Sequence, residues 1–266
     1  MSALAAAIVD GHVVAKRNLI KIKRVPEVLV FVLMSPIMFV LLFAYVFGGA
    51  ITPPDGVNYR EFLIGGIFAQ TVVFGATFTG AGLAEDMSKG IIDRFRSLPM
   101  SRSAVLVGRT ASDVVYNVLS IAIMSLTGLV VGWRIRGSLL DAAGAYLLLL
   151  LFAYAFSWVM AYVGLLVPSV EVINNASFMV IMPLTFVSNA FVPLEFFPSF
   201  LQGFVEWNPV SSVTQAVREL FGNAGPATSE VWAMQNPVLY TLLWIGLILV
   251  IFAPLSIRRY MRASMR

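Results

Sequence analysis

Six long apolar stretches alternate with short polar segments along the chain. Each stretch is long enough to form a helix across the hydrocarbon core of a membrane, which takes about 20 residues. Leu, Ile, Val, Phe and Gly dominate these stretches, as is typical of lipid-facing helices. The pattern therefore predicts an all-α integral membrane protein with six transmembrane helices. The predicted spans cover residues 28–50, 62–84, 104–133, 142–168, 172–192 and 237–257.

The segment before the first predicted span has an amphipathic pattern. Apolar side chains recur at helical spacing from Leu4 to Ile22 on one face. The opposite face has the basic residues Arg17, Lys21 and Arg24. This distribution predicts an N-terminal interfacial helix on the cytoplasmic leaflet. The alternative is a polar leader that serves only to orient the protein. No secretory signal peptide is predicted, because no basic residue precedes the first apolar run.

A second amphipathic pattern lies in the loop between the second and third predicted spans. Met87, Ile91, Phe95 and Leu98 form one apolar stripe if this loop is helical, and Pro99 ends the helix. The other faces have mixed charge, and acidic residues gain nothing from anionic lipid headgroups. The pattern predicts a short helix that docks in a protein groove, with the leaflet surface as the alternative.

The region between the fifth and sixth predicted spans is rich in aromatic residues. Its apolar runs are too short to cross a membrane and are typical of interfacial or re-entrant helices. Ser212 and Gln215 resemble a capping box at a helix start, and Gly222 fits a helix end. The region is therefore predicted to hold short external re-entrant helices before the last span.

Composition and charge support the membrane assignment and give an orientation. The chain is 59% hydrophobic and 12% charged, whereas an average soluble domain is about 25% charged. With both termini inside, fourteen of the 18 Lys and Arg residues lie on the cytoplasmic side, as the positive-inside rule requires. We therefore expect an N-in/C-in multi-pass protein of the cell membrane. The net charge of +4 fits this bias, and no nucleic-acid partner is expected.

Several kinds of chemistry are disfavoured by what the sequence lacks. The absence of Cys excludes disulfides, thiolate zinc sites and cysteine nucleophiles. His12 is the single histidine, which argues against a histidine metal site or a Ser-His-Asp triad. No phosphate-binding loop motif is present. Arg109 and Asp113 form an i, i+4 pair, for which charge neutralisation is favoured over a role in transport.

Polar and aromatic side chains inside the predicted spans are candidates for a solute pathway. The same side chains can also pack helices together or face lipid, and the sequence does not choose between these roles. Aromatic content favours an apolar solute only weakly. The candidate pathway residues are Tyr45, Gln70, Phe74, Phe78 and Asn189.

Three stretches resemble the membrane subunit of ABC-2 type exporters, in the branch that includes daunorubicin/doxorubicin-resistance permeases. The resemblance covers nearly the whole chain, and the middle stretch is the most specific. The three stretches are RVPEVLVFVLMSPIMFVLLFAYVFGG, YREFLIGGIFAQTVVFGATFTGAGLAEDMSKGIIDRFRSLPMSR and SNAFVPLEFFPSFLQGFVEWNPVSSVTQAVREL.

The resemblance implies one ABC-2 type transmembrane domain over residues 1–266. Its parts are the interfacial helix (1–27), spans one and two (28–84), the coupling helix (85–102), spans three to five (103–192), the external helices (193–236), span six (237–257) and a cytoplasmic tail (258–266). In this family the coupling helix enters a cleft on a separate ATPase subunit. The matching residues are Glu85, Asp86, Gly90, Asp93, Arg94, Leu98 and Pro99, with Met87, Ile91 and Phe95 as the apolar contact ridge.

The implied function is ATP-driven export of a lipophilic small molecule, such as a drug or antibiotic, by alternating access. Two permease chains, expected to be a homodimer, would share a pathway above two ATPase chains that bind ATP and Mg. This chain would have no catalytic residues, metal or cofactor of its own, and membrane lipids would surround it in a bacterial cytoplasmic membrane. The alternatives are export of a lipid or polysaccharide, an ATP-independent carrier or channel, and a membrane enzyme such as a lipid-modifying transferase.

Overall fold

The computed structural model describes residues 10, 13–18, 20, 34, 36–47, 58–92, 104–167, 169–225 and 229–262. Regular secondary structure in this part of the chain is helical throughout. A π-helical stretch covers Phe43–Phe47. The helices are α1 (13–18), α2 (Pro36–Val46), α3 (Tyr59–Gly75), α4 (Thr77–Ser88), α5 (Ala104–Val131), α6 (Leu139–Leu166), α7 (Val170–Phe186), α8 (Ser199–Trp207), α9 (Pro209–Phe221), α10 (Trp232–Gln235) and α11 (Pro237–Arg262).

Four helical segments are long and apolar enough to cross a membrane, and they correspond to predicted spans two, three, four and six. Predicted spans one and five correspond to shorter apolar helices, α2 and α7. The residues before α2 that complete the first predicted span lie largely outside the described part. Six spans and the orientation therefore remain predictions. The four long segments are Tyr59–Ser88, Ala104–Val131, Leu139–Leu166 and Pro237–Arg262.

Helix α7 ends at Phe186, before the predicted end of the fifth span at residue 192. Asn208 provides the physical reason. Its Nδ2 donates to the carbonyl oxygens of Leu184 and Val187, both at 2.7 Å, and so satisfies acceptors at the helix end. Its Oδ1 accepts from the Val210 N–H at 2.8 Å, which caps the start of α9. One side chain therefore ends one helix and begins another.

The capping box predicted at Ser212 is wrong, because α9 already begins at Pro209. Ser212 lies inside the helix, where its Oγ is 3.1 Å from the Pro237 carbonyl oxygen and 2.7 Å from the Thr241 hydroxyl. It joins α9 to α11 rather than capping α9. The predicted helix end at Gly222 is confirmed, with a left-handed φ of 71°.

Helix α6 is the central helix of the core and packs against α3, α4, α5, α9 and α11. Gly80 of α4 and Gly164 of α6 bring the two backbones into contact. A Cβ atom on Gly164 would lie only 2.5 Å from the Gly80 carbonyl oxygen. Small residues at helix crossings allow this close approach inside membranes. The position of α4 is therefore set directly by α6.

Arg218 of α9 is a buried cation, with 1% of its surface exposed. Its Nε donates to the Phe62 carbonyl oxygen of α3 at 2.7 Å, and its Nη2 donates to the Ala190 carbonyl oxygen at 2.9 Å. Its Cζ lies 3.5 Å from the centre of the Phe62 ring, a cation–π contact. Among the described residues it forms no ion pair. Arg218 thus joins α9 to α3 and to the loop that follows α7.

The loop between α5 and α6 is fixed to the same end of the protein. The backbone N–H groups of Arg136 and Gly137 donate to the Phe221 carbonyl oxygen at 2.8 and 2.9 Å. Arg136 also binds Glu61 of α3 through both its Nε and its Nη2, with a shortest distance of 2.8 Å. The Glu61 hydrogen bond raises the pKa of Arg136. The start of α3 and the end of α9 are therefore held by one connecting loop.

Candidate functional site

A cavity of about 370 Å³ lies between α2, α3, α4, α5 and α7. The lining residues between Gln70 and Phe78 lie near the middle of the long segment Tyr59–Ser88, and Tyr116 and Ser120 lie near the middle of α5. The cavity therefore lies about halfway along these two long segments. The described residues that line it include no charged side chain. They are Pro36, Phe39, Gln70, Thr71, Phe74, Gly75, Thr77, Phe78, Tyr116, Ser120, Phe178 and Met182.

One wall of the cavity contains a break between two helices. Helix α3 ends at Gly75 and α4 begins at Thr77, although the two together form one apolar segment. The Thr77 hydroxyl donates to the Phe74 carbonyl oxygen at 2.7 Å. A side chain that bonds to a preceding carbonyl can bend a helix. The wall of the cavity can therefore change direction at this point.

Aromatic rings form much of the cavity surface. Phe74 and Phe178 meet at 5.9 Å between ring centres, and Phe78 and Tyr116 meet at 5.3 Å. Phe39 also stacks on Phe191, at 6.5 Å, and so extends the aromatic surface toward the loop after α7. Rings pack favourably against other rings in offset and edge-to-face arrangements. The cavity is thus suited to a flat apolar solute of drug-like size.

Three of the five predicted pathway residues line this cavity, namely Gln70, Phe74 and Phe78. Tyr45 does not line the cavity. It is 61% exposed, and the Cζ of Arg60 lies 5.2 Å from the centre of the Tyr45 ring. Asn189 is buried in the loop after α7, where its N–H donates to the Ser211 Oγ at 3.1 Å. A role for these last two residues stays a prediction.

Sequence reasoning missed several lining residues. Thr71 on α3, Tyr116 and Ser120 on α5, and Phe178 on α7 were not among the predicted pathway residues. A signal was present for two of them, because Tyr116 and Ser120 are four residues apart and share a helix face. Hydroxyl groups are common in packed membrane helices, so that signal alone does not indicate a cavity.

A charged cluster joins α4 to α5 close to the cavity. The predicted pair of Arg109 and Asp113 is confirmed, with 3.8 Å between Nε and Oδ2. The Thr79 hydroxyl donates to the buried Asp113 carboxylate. Arg109 Nη2 donates to the Phe78 carbonyl oxygen at 2.6 Å. These contacts neutralise both charges within the protein and hold α4 on α5.

Helix α1 is attached to the same cluster of helices. Arg17 Nη2 lies 2.6 Å from Asp86 Oδ2 of α4, and Asn18 Nδ2 donates to the Ser112 Oγ of α5 at 3.2 Å. Arg17 was predicted to lie on the basic face of the interfacial helix. In the structure its side chain contacts Asp86 of α4. Lys21 and Arg24, predicted on that face as well, lie outside the described residues.

The segment predicted to couple to an ATPase is described as far as Ile92. The helix expected to continue from Met87 to Ile91 is interrupted, because α4 ends at Ser88 and Gly90 has a left-handed φ of 64°. Asp86 is buried against Arg17, whereas Glu85 binds the exposed Lys89 at 2.6 Å. The predicted coupling residues outside the described part are Asp93, Arg94, Phe95, Leu98 and Pro99.

Comparison with known proteins shows what kind of protein contains this cavity. The family profile described as ABC-2 type transporter matches residues 11–221. The chain belongs to the ABC-2 type transporter family. It is 36% identical over 245 residues to the "Daunorubicin resistance ABC transporter permease protein DrrB1" of Streptomyces coeruleorubidus, across 92% of this chain and 83% of that protein.

Two further relatives of this permease extend the comparison. The "Probable doxorubicin resistance ABC transporter permease protein DrrC" of Mycobacterium tuberculosis is 27% identical over 233 residues, across 86% of this chain and 80% of its own length. The "Putative transport permease ycf38" of Cyanophora paradoxa is 27% identical over 217 residues, across 80% of this chain and 74% of its own length. The chain is thus an ABC-2 permease homologous to permeases of drug-resistance ABC transporters, and the family implies an ABC ATPase partner.

Proposed function

We propose that this permease is the membrane subunit of an ATP-driven exporter that moves lipophilic small molecules out of the cytoplasm. The observation that carries the proposal is the uncharged, aromatic cavity halfway along the helices of a chain homologous to drug-resistance permeases. A second copy of the chain and a separate ATPase that binds ATP and Mg complete the transporter. This chain supplies the solute site and the moving helices.

Helix α4 supports this proposal as a mechanical link. Thr77 and Phe78 at one end line the cavity, and Ser88 at the other end leads into the coupling segment. Its 12 residues form a rod about 18 Å long. A force on the cytoplasmic end would therefore move the cavity wall about the break at Ala76. Hinge motions of this kind suit alternating access, in which a site faces each side of the membrane in turn.

The coupling segment is the proposed contact with the ATPase. Met87, Ile91 and Phe95 would provide its apolar ridge, and the acidic and basic residues around them would set its orientation. The ion pair between Arg17 and Asp86 would make α1 move together with α4. Ile91→Ala is expected to reduce recovery of the ATPase with the permease. Leu139→Ala, at an exposed position at the start of α6, is not.

Six spans, the N-in/C-in orientation and a bacterial cytoplasmic membrane complete the proposal. The chain contains no Cys, so single cysteines can report the orientation directly. A membrane-impermeant maleimide added to intact cells should label Gly203→Cys and should leave Lys89→Cys unlabelled until the membrane is opened. The reverse labelling pattern would contradict the orientation.

The deciding experiment is purification of the permease from its native membrane in mild detergent, with identification of the chains that accompany it. A stoichiometric ATPase subunit and vanadate-sensitive hydrolysis stimulated by lipophilic drugs are expected. A bound glycolipid with lipid-stimulated hydrolysis would instead indicate export of a lipid or polysaccharide. Solute flux in liposomes without any nucleotide would overturn the ATP-driven proposal and leave a carrier or channel.

A further inference from the structure

The cavity contains polar groups that the protein itself does not satisfy. Gln70 is 5% exposed and lines the cavity, yet its amide forms no hydrogen bond with any described residue. The hydroxyl of Tyr116, across the cavity on α5, is buried and forms no hydrogen bond of good geometry with a described residue; the polar side chain beside it is Ser120, one turn along the same helix. Thr71, next to Gln70, also forms no side-chain hydrogen bond in the described part.

Several other hydroxyl groups in the bundle follow a different pattern, although those of Ser177 and Thr214 are also unpaired among the described residues. Thr110, Ser157 and Thr185 each donate to the carbonyl oxygen four residues earlier in their own helix, at 3.0, 3.0 and 2.7 Å. This bond is the usual way to satisfy a hydroxyl in an apolar helix. Polar groups left unpaired away from water are costly to the fold. Such groups facing one cavity indicate that water or a bound solute supplies the missing partners.

The cavity wall also restricts the charge of that ligand. The described lining residues have no ionised group, and the nearby Asp113 carboxylate is already engaged by Thr79 and Arg109. A charged solute would lose its hydration without gaining a counter-charge. The rings of Phe74, Phe78 and Phe178 favour a flat aromatic body.

We propose that the cavity binds an uncharged, flat aromatic compound that has a hydroxyl or carbonyl group on one edge, and that Gln70 and Tyr116 select it by hydrogen bonding to that edge. The Gln70 amide can both donate and accept, and the Tyr116 hydroxyl can do the same. Thr71 adds a third polar group beside Gln70. This inference rests on the proposed function, because it takes the cavity to be the solute site of the exporter.

Three probes that share one ring system test the inference. They are pyrene, 1-hydroxypyrene and the cation 1-pyrenemethylammonium, and their binding is measured by energy transfer from tryptophan to pyrene with the full-length permease in nanodiscs. Because one hydrogen bond of ordinary strength corresponds to about tenfold in affinity, 1-hydroxypyrene should bind about tenfold more tightly than pyrene. The cation should bind most weakly. Equal affinities, or a preference for the cation, would overturn the inference.

Variants separate a ligand-binding role from a structural one. Gln70→Leu and Tyr116→Phe should each lower the affinity for 1-hydroxypyrene toward that of pyrene and leave pyrene binding unchanged. Neither should lower the melting temperature of the ligand-free protein, because each removes a group that has no partner. Thr127→Val is a control on α5 at a partly buried hydroxyl whose Oγ1 bonds within its own helix. It should change the affinity for neither pyrene nor 1-hydroxypyrene. A loss of stability without loss of selectivity in Gln70→Leu would overturn the inference.

Nucleotide dependence distinguishes this inference from the proposed function. Selective binding of 1-hydroxypyrene without ATP-dependent transport would support the site and refute the exporter. ATP-dependent transport that does not discriminate between pyrene and 1-hydroxypyrene, in wild type and in Gln70→Leu alike, would support the exporter and refute the selection by Gln70 and Tyr116.

Discussion

Arg109 and Arg218 are both arginines inside the helical bundle, and they are held in opposite ways. Arg109 lies beside the Asp113 carboxylate and donates to the Phe78 carbonyl oxygen of α4. Arg218 donates to two backbone carbonyl oxygens and lies over the Phe62 ring, with no described carboxylate partner. The first arrangement pairs charges across helices. In the second, one cation holds two backbone segments together through the carbonyl oxygens of Phe62 and Ala190. We call this arrangement the Arg218 clamp.

The difference indicates which end of the protein can move. Side-chain charge pairs can separate and find other partners, whereas carbonyl groups of a helix and a tight loop keep their places. Three of the four ion pairs between described residues lie at the α4 end, where this helix meets α1 and α5. The Arg218 clamp lies where α9 meets α3, at the same end as the fourth pair, Arg136 and Glu61. We therefore expect the α4 end to provide the motion and the α9 end to act as a fixed frame. The following predictions test this contrast.

Removing the clamp should have the largest effect. Arg218→Met loses two hydrogen bonds from a charged donor, so we expect a loss of about 2–4 kcal/mol of stability. The melting temperature of the detergent-purified permease, followed by size-exclusion chromatography after heating, measures this loss. Arg134→Met is the matched control, because Arg134 is exposed on the neighbouring loop. An unchanged melting temperature in Arg218→Met would show that the clamp does not hold the frame.

The crossing of α4 and α6 should be the next most sensitive point. Gly164→Ala places a methyl group against the Gly80 backbone, and overpacking of this kind costs about 1–3 kcal/mol. Gly246→Ala on α11 is the control, since no atom lies within 4 Å of its added Cβ. That control should be neutral or slightly stabilising. If both variants melt at the same temperature, α4 is not fixed to α6 at this crossing.

The pair of Arg17 and Asp86 should contribute less. A double-mutant cycle of Arg17→Gln and Asp86→Asn should give a coupling of about 0.5–1 kcal/mol, because the Arg17 side chain is 36% exposed. Raising the salt concentration should reduce this coupling. Lys16→Gln, at an exposed neighbouring position, should show no coupling to Asp86→Asn. A coupling of zero at low salt would mean that α1 is not attached through this pair.

The exposed pair of Lys89 and Glu85 should have the smallest effect. The Glu85 hydrogen bond raises the pKa of Lys89. The contribution of this pair to stability is therefore complete below the ordinary lysine pKa, and it is lost as the pH rises through the pKa of Lys89 in the folded protein. Between pH 6 and 9, the difference in melting temperature between wild type and Lys89→Gln should stay near zero and constant. A difference that grows with acidity in this range would contradict this interpretation.

The helical class and the positions of the apolar segments follow from the sequence because the membrane requires long apolar helices. The ends of these helices were less predictable. Asn208 ends α7 through contacts 24 and 21 residues away, and no local pattern shows where its amide will point. Gly90 could have indicated an interruption in the predicted coupling helix, since glycine favours the left-handed conformation that ends helices.

The candidate site was predictable only in part. Gln70 stands out as an amide in the middle of an apolar helix, and Phe74 and Phe78 follow it at four-residue spacing. Tyr116 faces the same cavity from another helix, and that proximity depends on how α3 and α5 pack. The partners of Arg17 and Arg218 lie 69 and 156 residues away in the chain. Contacts across such distances cannot be read from periodicity.

The Arg218 clamp also has a consequence for biosynthesis. Its two acceptors, Phe62 and Ala190, precede it by 156 and 28 residues, so both leave the ribosome first. The guanidinium can be sheltered only after α3 and the loop that follows α7 have come together. Until then, a nascent chain has a charged helix with no place to bind. The docking of α9 is therefore a late assembly step, at which insertion factors and proteases can distinguish correctly assembled chains from failed ones.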